Sequence, residues 1–197
     1  FQREGSLTKQ LDHPSIVKVF DIGQFEDTLP FIAMELLTGN ELAALLRATP
    51  VMPVEAVKKM VRHVAAGLDC AHDTGVIHRD LKPENIFYCQ SSDQWKILDF
   101  GVSKHVQMST TLTEVGNIVG TPHYMAPEQA QAKSVDRRTD LFALGALAYR
   151  ALTGCTPFSG RDLPSILYAV VYSPPLSCRS IVPTLPSELD AVFATAL

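Results

Sequence analysis

Cysteine is scarce and scattered. The four residues Cys70, Cys89, Cys155 and Cys178 form no C-x-x-C pair, and no histidines cluster beside them at metal-ligand spacing. That excludes both a zinc site and a disulfide framework, and it points to a reducing, cytoplasmic setting. No apolar run is long enough to cross a bilayer, which takes about 20 residues. The longest, LFALGALAY at 141–149, stops at Arg150 and reads as a buried core helix. Charge of one sign is lacking too. A net charge of -4 with no basic block gives no footing for nucleic acid. Internal repeats and low-complexity linkers are also missing, so the 197 residues, 46% hydrophobic, read as one globular unit able to bury a real core.

Neither an initiator methionine nor a signal segment opens the chain at Phe1. The start therefore reads as a cut within a longer parent, and the helical pattern still running at Leu197 suggests the same of the other end. There, Ser187 is an N-cap candidate with Asp190 three residues on.

Residues 1–11 suit a helix that the DHP sequence at 12–14 ends. IVKVFDIG (16–23) and PFIAMEL (30–36) read as two strands joined by a hairpin-like turn, with a possible hinge near 37–40 before a short helix. Between Pro53 and His72, Val54, Val57, Val61, Val64, Leu68 and Ala71 recur at steps of three and four, which predicts an amphipathic helix closed by Gly75. IFYC and WKILDF flank the polar turn QSSD as a second strand pair. The stretch 101–127 keeps no period, and loops of that length in compact domains are usually functional. Everything beyond reads as helical.

The chemistry-bearing residues concentrate in GVIHRDLKPENIF, residues 75–87. His78 alone reads as a packed core histidine. Asp80 and Asn85 occupy a loop between the long helix and the strand pair, and Asp99 ends the second of those strands. A carboxylate and an amide from the loop, brought together with the carboxylate of the neighbouring turn, make a hard oxygen site suited to Mg²⁺, which completes its shell with phosphate oxygens. Lys82 adds a compact positive charge, and Asp80 is left as a base to orient an attacking hydroxyl. Phosphoryl transfer needs this set of parts.

HRDLKPEN (78–85), DFG (99–101) and APE (126–128) together resemble the catalytic loop, metal-binding turn and activation-segment end of protein kinases. HPSIVKVFDIG, FIAMELL and RTDLFALGALAYRALTGCTPF are similar to the strand after that family's helix C, to the strand entering its nucleotide hinge and to its helix F. The resemblance implies an α+β, two-lobe fold, with 1–37 the remnant of the β-rich upper lobe and 38–197 a mostly helical lower lobe lacking its last helices. It implies ATP and Mg²⁺ (or Mn²⁺) as cofactors. By the same resemblance Asp80 is the catalytic base, Lys82 the γ-phosphate contact, and Asn85 and Asp99 the metal ligands. Met34 takes the gatekeeper position, Glu35 and Leu37 offer backbone groups to adenine, and Phe87 packs beneath the ring or serves simply as strand core.

Lys82 and the GTPHYMAPE sequence are similar to the serine/threonine class, which makes Ser and Thr hydroxyls of proteins the acceptors. Thr121 resembles the residue that bonds the catalytic aspartate and lysine, ahead of the loop that receives the substrate residue after the acceptor. Arg79 marks kinases switched by activation-loop phosphorylation, with Thr113, then Thr111 and Thr110, as candidates. Asp140 resembles the helix F aspartate that holds the catalytic loop, with Gly145 permitting close packing. Glu128 would pair with an arginine past residue 197 and so stand here without its partner. Glu4 resembles the helix C glutamate, whose lysine partner, like the glycine-rich loop, is not among these residues. The expectations that follow are weak ATP binding and negligible turnover for the segment alone, and unpartnered, apolar upper strands. A bacterial kinase of the eukaryotic type is the nearest analogy, with dimerisation or a membrane anchor open for the parent. A pseudokinase scaffold is the alternative, and a small-molecule phosphotransferase the third reading.

Overall fold

The computed structural model describes residues 11–25, 29–100 and 122–197. Glu4, Thr110, Thr111, Thr113 and Thr121 lie outside them.

The upper part is a hairpin. Strands β1 (Val19–Phe25) and β2 (Leu29–Met34) pair antiparallel, in one register from Phe25 opposite Leu29 to Asp21 opposite Ala33, then shift so that Val19 stands opposite Met34. Their bounds differ by up to three residues from the alternation in the sequence, because Ser15–Val17 pair elsewhere. Ile16 forms a parallel bridge to Ile97, with Val17 N–H donating to the Ile97 carbonyl at 2.9 Å and Ile97 N–H to the Ser15 carbonyl at 2.8 Å. Gly67 makes room for that crossing: a Cβ there would stand 3.1 Å from the Ser15 carbonyl oxygen.

After the hairpin, β3 (Gly39–Glu41) leads into helix α1 (Leu42–Ala48). Helix α2 (Val54–Asp73) buries Val57, Met60, Val64, Leu68 and Ala71 along one stripe, at about 1.5–3 kcal/mol for each large side chain. Val54 and Val61, also in the sequence pattern, sit half-buried on its flank. Strands β4 (Ile86–Cys89) and β5 (Gln94–Ile97) then complete an antiparallel sheet ordered β3-β4-β5.

The short helix α3 (Pro127–Ala130) and the long helix α4 (Arg137–Thr153) follow the segment outside the described residues. Asp136 caps α4 by accepting from Arg138 N–H at 2.8 Å, and Gly154 ends it in the left-handed conformation at φ 76°. Twelve residues of α4 are buried, from Thr139 to Thr153, so most of LFALGALAY is core, while Leu141 is exposed. Among the described residues no helix is long and apolar enough to cross a membrane. Helices α5 (Leu163–Tyr172), α6 (Cys178–Ile181) and α7 (Glu188–Ala196) pack beyond it. Gly145 does admit a close approach, since a Cβ there would meet Ala196 Cβ at 3.2 Å.

Ser187 is no side-chain cap. It adopts helical angles with no capping bond, and Asp190 is engaged elsewhere, accepting from Ser177 Oγ and Cys178 N–H at 2.9 Å each. One core joins Leu11, Ile16, α1, α2, the β4–β5 pair, α4, α6 and α7. A smaller cluster of Ala126, Phe142, Phe158, Ile166 and Val170 fastens α5 and the 126–130 region to α4.

Candidate active site

Helix α2 ends in a chain reversal that aims the following residues. Gly75, at φ 77°, sends its N–H to the His72 carbonyl at 3.0 Å while Val76 N–H returns to the Ala71 carbonyl at 2.9 Å. This pair of bonds is the Schellman arrangement, which needs a left-handed residue at its centre. The chain therefore turns back on itself before the loop at 78–85.

Side chains, not a ladder, satisfy its backbone. Asp140, 1% exposed, accepts from His78 N–H through Oδ2 and from Arg79 N–H through Oδ1, both at 2.8 Å. Its Oδ2 also meets His72 Nε2 at 2.8 Å. Asp80 N–H donates to His78 Nδ1 at 3.2 Å, and the Asp80 carbonyl accepts from Asn85 Nδ2 at 2.8 Å. Because Nδ1 is an acceptor, the proton of the His78 ring is on Nε2, which donates to the Leu98 carbonyl at 2.9 Å. Burial holds the His78 pKa below its ordinary value, against the opposing pull of the Leu98 carbonyl and of Asp140, Asp80 and Asp99. His78 is the packed core histidine its neighbourhood suggested, edge-on to Phe100 at 5.0 Å.

The exit of β5 is tied to the same loop. Leu98 N–H donates to the Asn85 carbonyl at 2.8 Å and the Leu98 carbonyl takes the His78 bond, so both its peptide groups are fixed just before Asp99. Asp99 and Arg79 have φ of 53° and 65°. A non-glycine residue in that region costs about 1–3 kcal/mol, and it persists where the surroundings over-determine it. Asp80, Asn85 and Asp99 thus come from one bonded cluster, and Lys82 Nζ lies 3.1 Å from Asp80 Oδ2 with both side chains half-buried. Among the described residues no three His, Cys, Asp or Glu side chains converge. A magnesium site of one amide and one carboxylate, completed by phosphate and water, asks for no such triad. Asn85 fits it: buried, with its nitrogen spent on the Asp80 carbonyl, it has its amide oxygen to offer.

The hinge candidates stand on β2, on β4 and in the chain between β2 and β3. Met34 ends β2 and is partly exposed, Leu37 is half-buried, and Phe87 on β4 faces Lys96 and Glu41 in register. The Glu35 side chain, read from sequence only for its backbone, accepts from Lys18 N–H and pairs with Lys96 on β5. The Glu128 carboxylate, expected from the resemblance to pair with an arginine, accepts from Thr139 Oγ1 on α4. Sequence reasoning also passed over Gln129, whose place three residues after Ala126 is where a side chain can reach back to a helix start.

A family model for the protein kinase domain matches residues 1–179. Serine/threonine-protein kinase PknB of Mycobacterium leprae is 36% identical over 200 residues, covering 100% of this chain and 32% of its own length. Serine/threonine-protein kinase pkn3 of Myxococcus xanthus is 42% identical over 80% of this chain and 30% of its own length. In structure, the chain resembles the PknI kinase domain of Mycobacterium tuberculosis with a TM-score of 0.74 at 30% identity, covering 100% of this chain and 69% of that one. The chain belongs to the protein kinase family, and its α+β fold is that family's. It spans about a third of the length of the curated relatives it matches.

Proposed function

We propose that this chain is the catalytic core of a serine/threonine protein kinase, transferring the γ-phosphoryl group of ATP to Ser or Thr hydroxyls of protein substrates. The observation that carries the reading is the anchoring of His78–Arg79 to Asp140 and of Leu98 to His78 and Asn85, which ties together the backbone on which Asp80, Lys82, Asn85 and Asp99 stand. The printed names of the relatives, serine/threonine-protein kinases, support the acceptor class.

In this reading Asp80 accepts the proton of the attacking hydroxyl and orients its oxygen toward phosphorus, while Lys82 holds positive charge beside the transferred group. Asn85 and Asp99 would hold Mg²⁺, which when bound neutralises phosphate charge. Because the Glu35 N–H is spent on the Lys18 carbonyl, the Glu35 carbonyl and the Leu37 peptide groups are assigned to adenine, with Met34 behind it and Phe87 beneath. Thr121 is assigned to the Asp80–Lys82 pair, and Arg79 to a phosphate on Thr113 or Thr111. Glu4 is assigned to the strand lysine. Residues 1–37 are assigned to a remnant of the upper lobe and 38–197 to the lower lobe without its last helices.

The 197-residue segment holds no G-x-G-x-x-G sequence and no lysine before Glu4, so alone it binds ATP weakly and turns over negligibly. The intact Asp80, Asn85 and Asp99 favour transfer over a scaffold role. The test is phosphorylation of Ser/Thr peptides with labelled ATP and Mg²⁺, comparing the full gene product containing these residues with the segment alone. Phosphoserine or phosphothreonine from the former and none above background from the latter is expected. Equal rates would sink the roof argument, and no transfer by the full product would sink the kinase reading.

A further inference from the structure

Gln129, on α3, carries a side chain shared between the start of its own helix and Arg79, 50 positions before it. Its Oε1 accepts from Ala126 N–H at 3.0 Å, which caps the start of α3. Its Nε2 donates to the Arg79 carbonyl at 2.8 Å. A helix cap needs only the oxygen. The second bond has a separate effect, because a peptide group is one rigid plane: the carbonyl that Gln129 grips and the Asp80 N–H that meets His78 belong to the same plane. Turning that plane changes φ of Asp80, and with it the direction of the Asp80 side chain.

The neighbouring planes are held by other groups. Asp140 takes the N–H groups of His78 and Arg79, and Asn85 takes the Asp80 carbonyl. Arg79 sits at φ 65°, where relaxation toward ordinary backbone is favourable once a restraint goes. Residues 122–130 meanwhile are fastened to the lower body through Ala126, Phe142 and Phe158.

We propose that Gln129 is a positioning residue for phosphoryl transfer. Through the Arg79 carbonyl it fixes the Arg79–Asp80 peptide plane, and it makes the aim of Asp80 depend on how the chain after residue 121 is docked. The inference rests on the assignment of Asp80 as the base.

Gln129→Glu separates this from a mere cap. An ionised glutamate keeps the capping oxygen, and a negative charge in a first helical turn is favourable, but it cannot donate to the Arg79 carbonyl. Once protonated, it regains a donor. In the full gene product, kcat of Gln129→Glu should fall about tenfold at pH 8, the scale of one buried hydrogen bond lost. The Michaelis constant for ATP should hardly move. The ratio of variant to wild-type kcat should then rise as pH is lowered toward the glutamate's own range, about 4.3, and Gln129→Leu should show the loss without that recovery. Hydrogen exchange, compared at matched pH, adds a readout that needs no activity: peptides covering 76–82 should exchange faster in both variants while those of α4 stay unchanged. A Glu variant equal to wild type in kcat at every pH and in exchange at 76–82 would overturn the inference. So would equal losses in Glu and Leu with no pH recovery and no change at 76–82. If wild type transfers no phosphate, the kinase reading falls and the exchange comparison alone decides the role of Gln129.

Discussion

The hairpin at 19–34 and the loop at 78–85 use opposite means of holding backbone in place. In the hairpin, peptide groups pair with peptide groups along a ladder broken only between Val19 and Asp21, yet no side chain described there is fully buried, and Phe20 and Leu29 are 59% and 63% exposed. In the loop the backbone is irregular and Arg79 is strained, but side chains from α3, α4 and the loop itself satisfy it, over buried His78 and Leu81. Regularity and rigidity are therefore separate properties. A two-stranded hairpin without a covered face is marginal in water, while buried, satisfied polar networks fix one arrangement.

The largest effect that would break this contrast belongs to Asp140. Asp140→Ala leaves the His78 and Arg79 N–H groups and His72 without their acceptor, and removing one member of such a buried set costs about 3–5 kcal/mol. Urea unfolding should show that loss or an absence of cooperative folding. A cost under about 1 kcal/mol, the scale of a single net hydrogen bond, would mean the loop is held by something else.

His78 sharpens the comparison through pH. Its folded pKa is depressed, so the unfolded chain takes up the proton first as pH falls. The stability contributed by neutral His78 is present above about pH 6.5 and is lost as pH drops below it, by at most about 1.4 kcal/mol per pH unit. His78→Gln should flatten the slope of stability against pH between about 6.5 and 5.5. Parallel slopes in the two proteins would contradict the assignment.

The smallest stability effect is expected in the hairpin. Replacing Phe20 and Leu29 by Ser should change global stability by no more than about 0.5 kcal/mol each, because both are exposed. Self-association, measured by sedimentation, should decrease, since an uncovered apolar strand pair invites it. A stability loss of several kcal/mol would show that the hairpin is covered.

Some of this was legible in the sequence. Helix α2 was readable from its period, α4 from a run too apolar for a surface and too short for a membrane, and the β4–β5 pair from β-branched and aromatic residues around a polar turn. These signals are local. Strand β3 was not readable, because Gly-Asn-Glu has no strand preference and is placed only by pairing with Phe87–Cys89. There Gly39 is required, since a Cβ would stand 1.9 Å from the Tyr88 carbonyl oxygen. The parallel contact of Ile16 with Ile97 is tertiary in the same way. The same limit applied at the site. HRDLKPEN, DFG and APE pointed to Asp80, Asn85 and Asp99, but the partner of Glu128, the Glu35–Lys96 pair and the reach of Gln129 depend on segments distant in sequence. Asp190 had the spacing of a cap for Ser187, and lost that role to Cys178 and Ser177, whose distance along the chain hides their proximity.

Asp80→Asn in the full gene product tests the central claim most directly, by pairing a kinetic readout with a binding one. If Asp80 is the base that the anchored loop presents, kcat for phosphorylation of a Ser/Thr peptide falls by about two to four orders of magnitude. Affinity for Mg²⁺-ATP, held by other residues, is retained. Undiminished transfer by the Asp80→Asn protein would contradict the account, however well the loop is anchored.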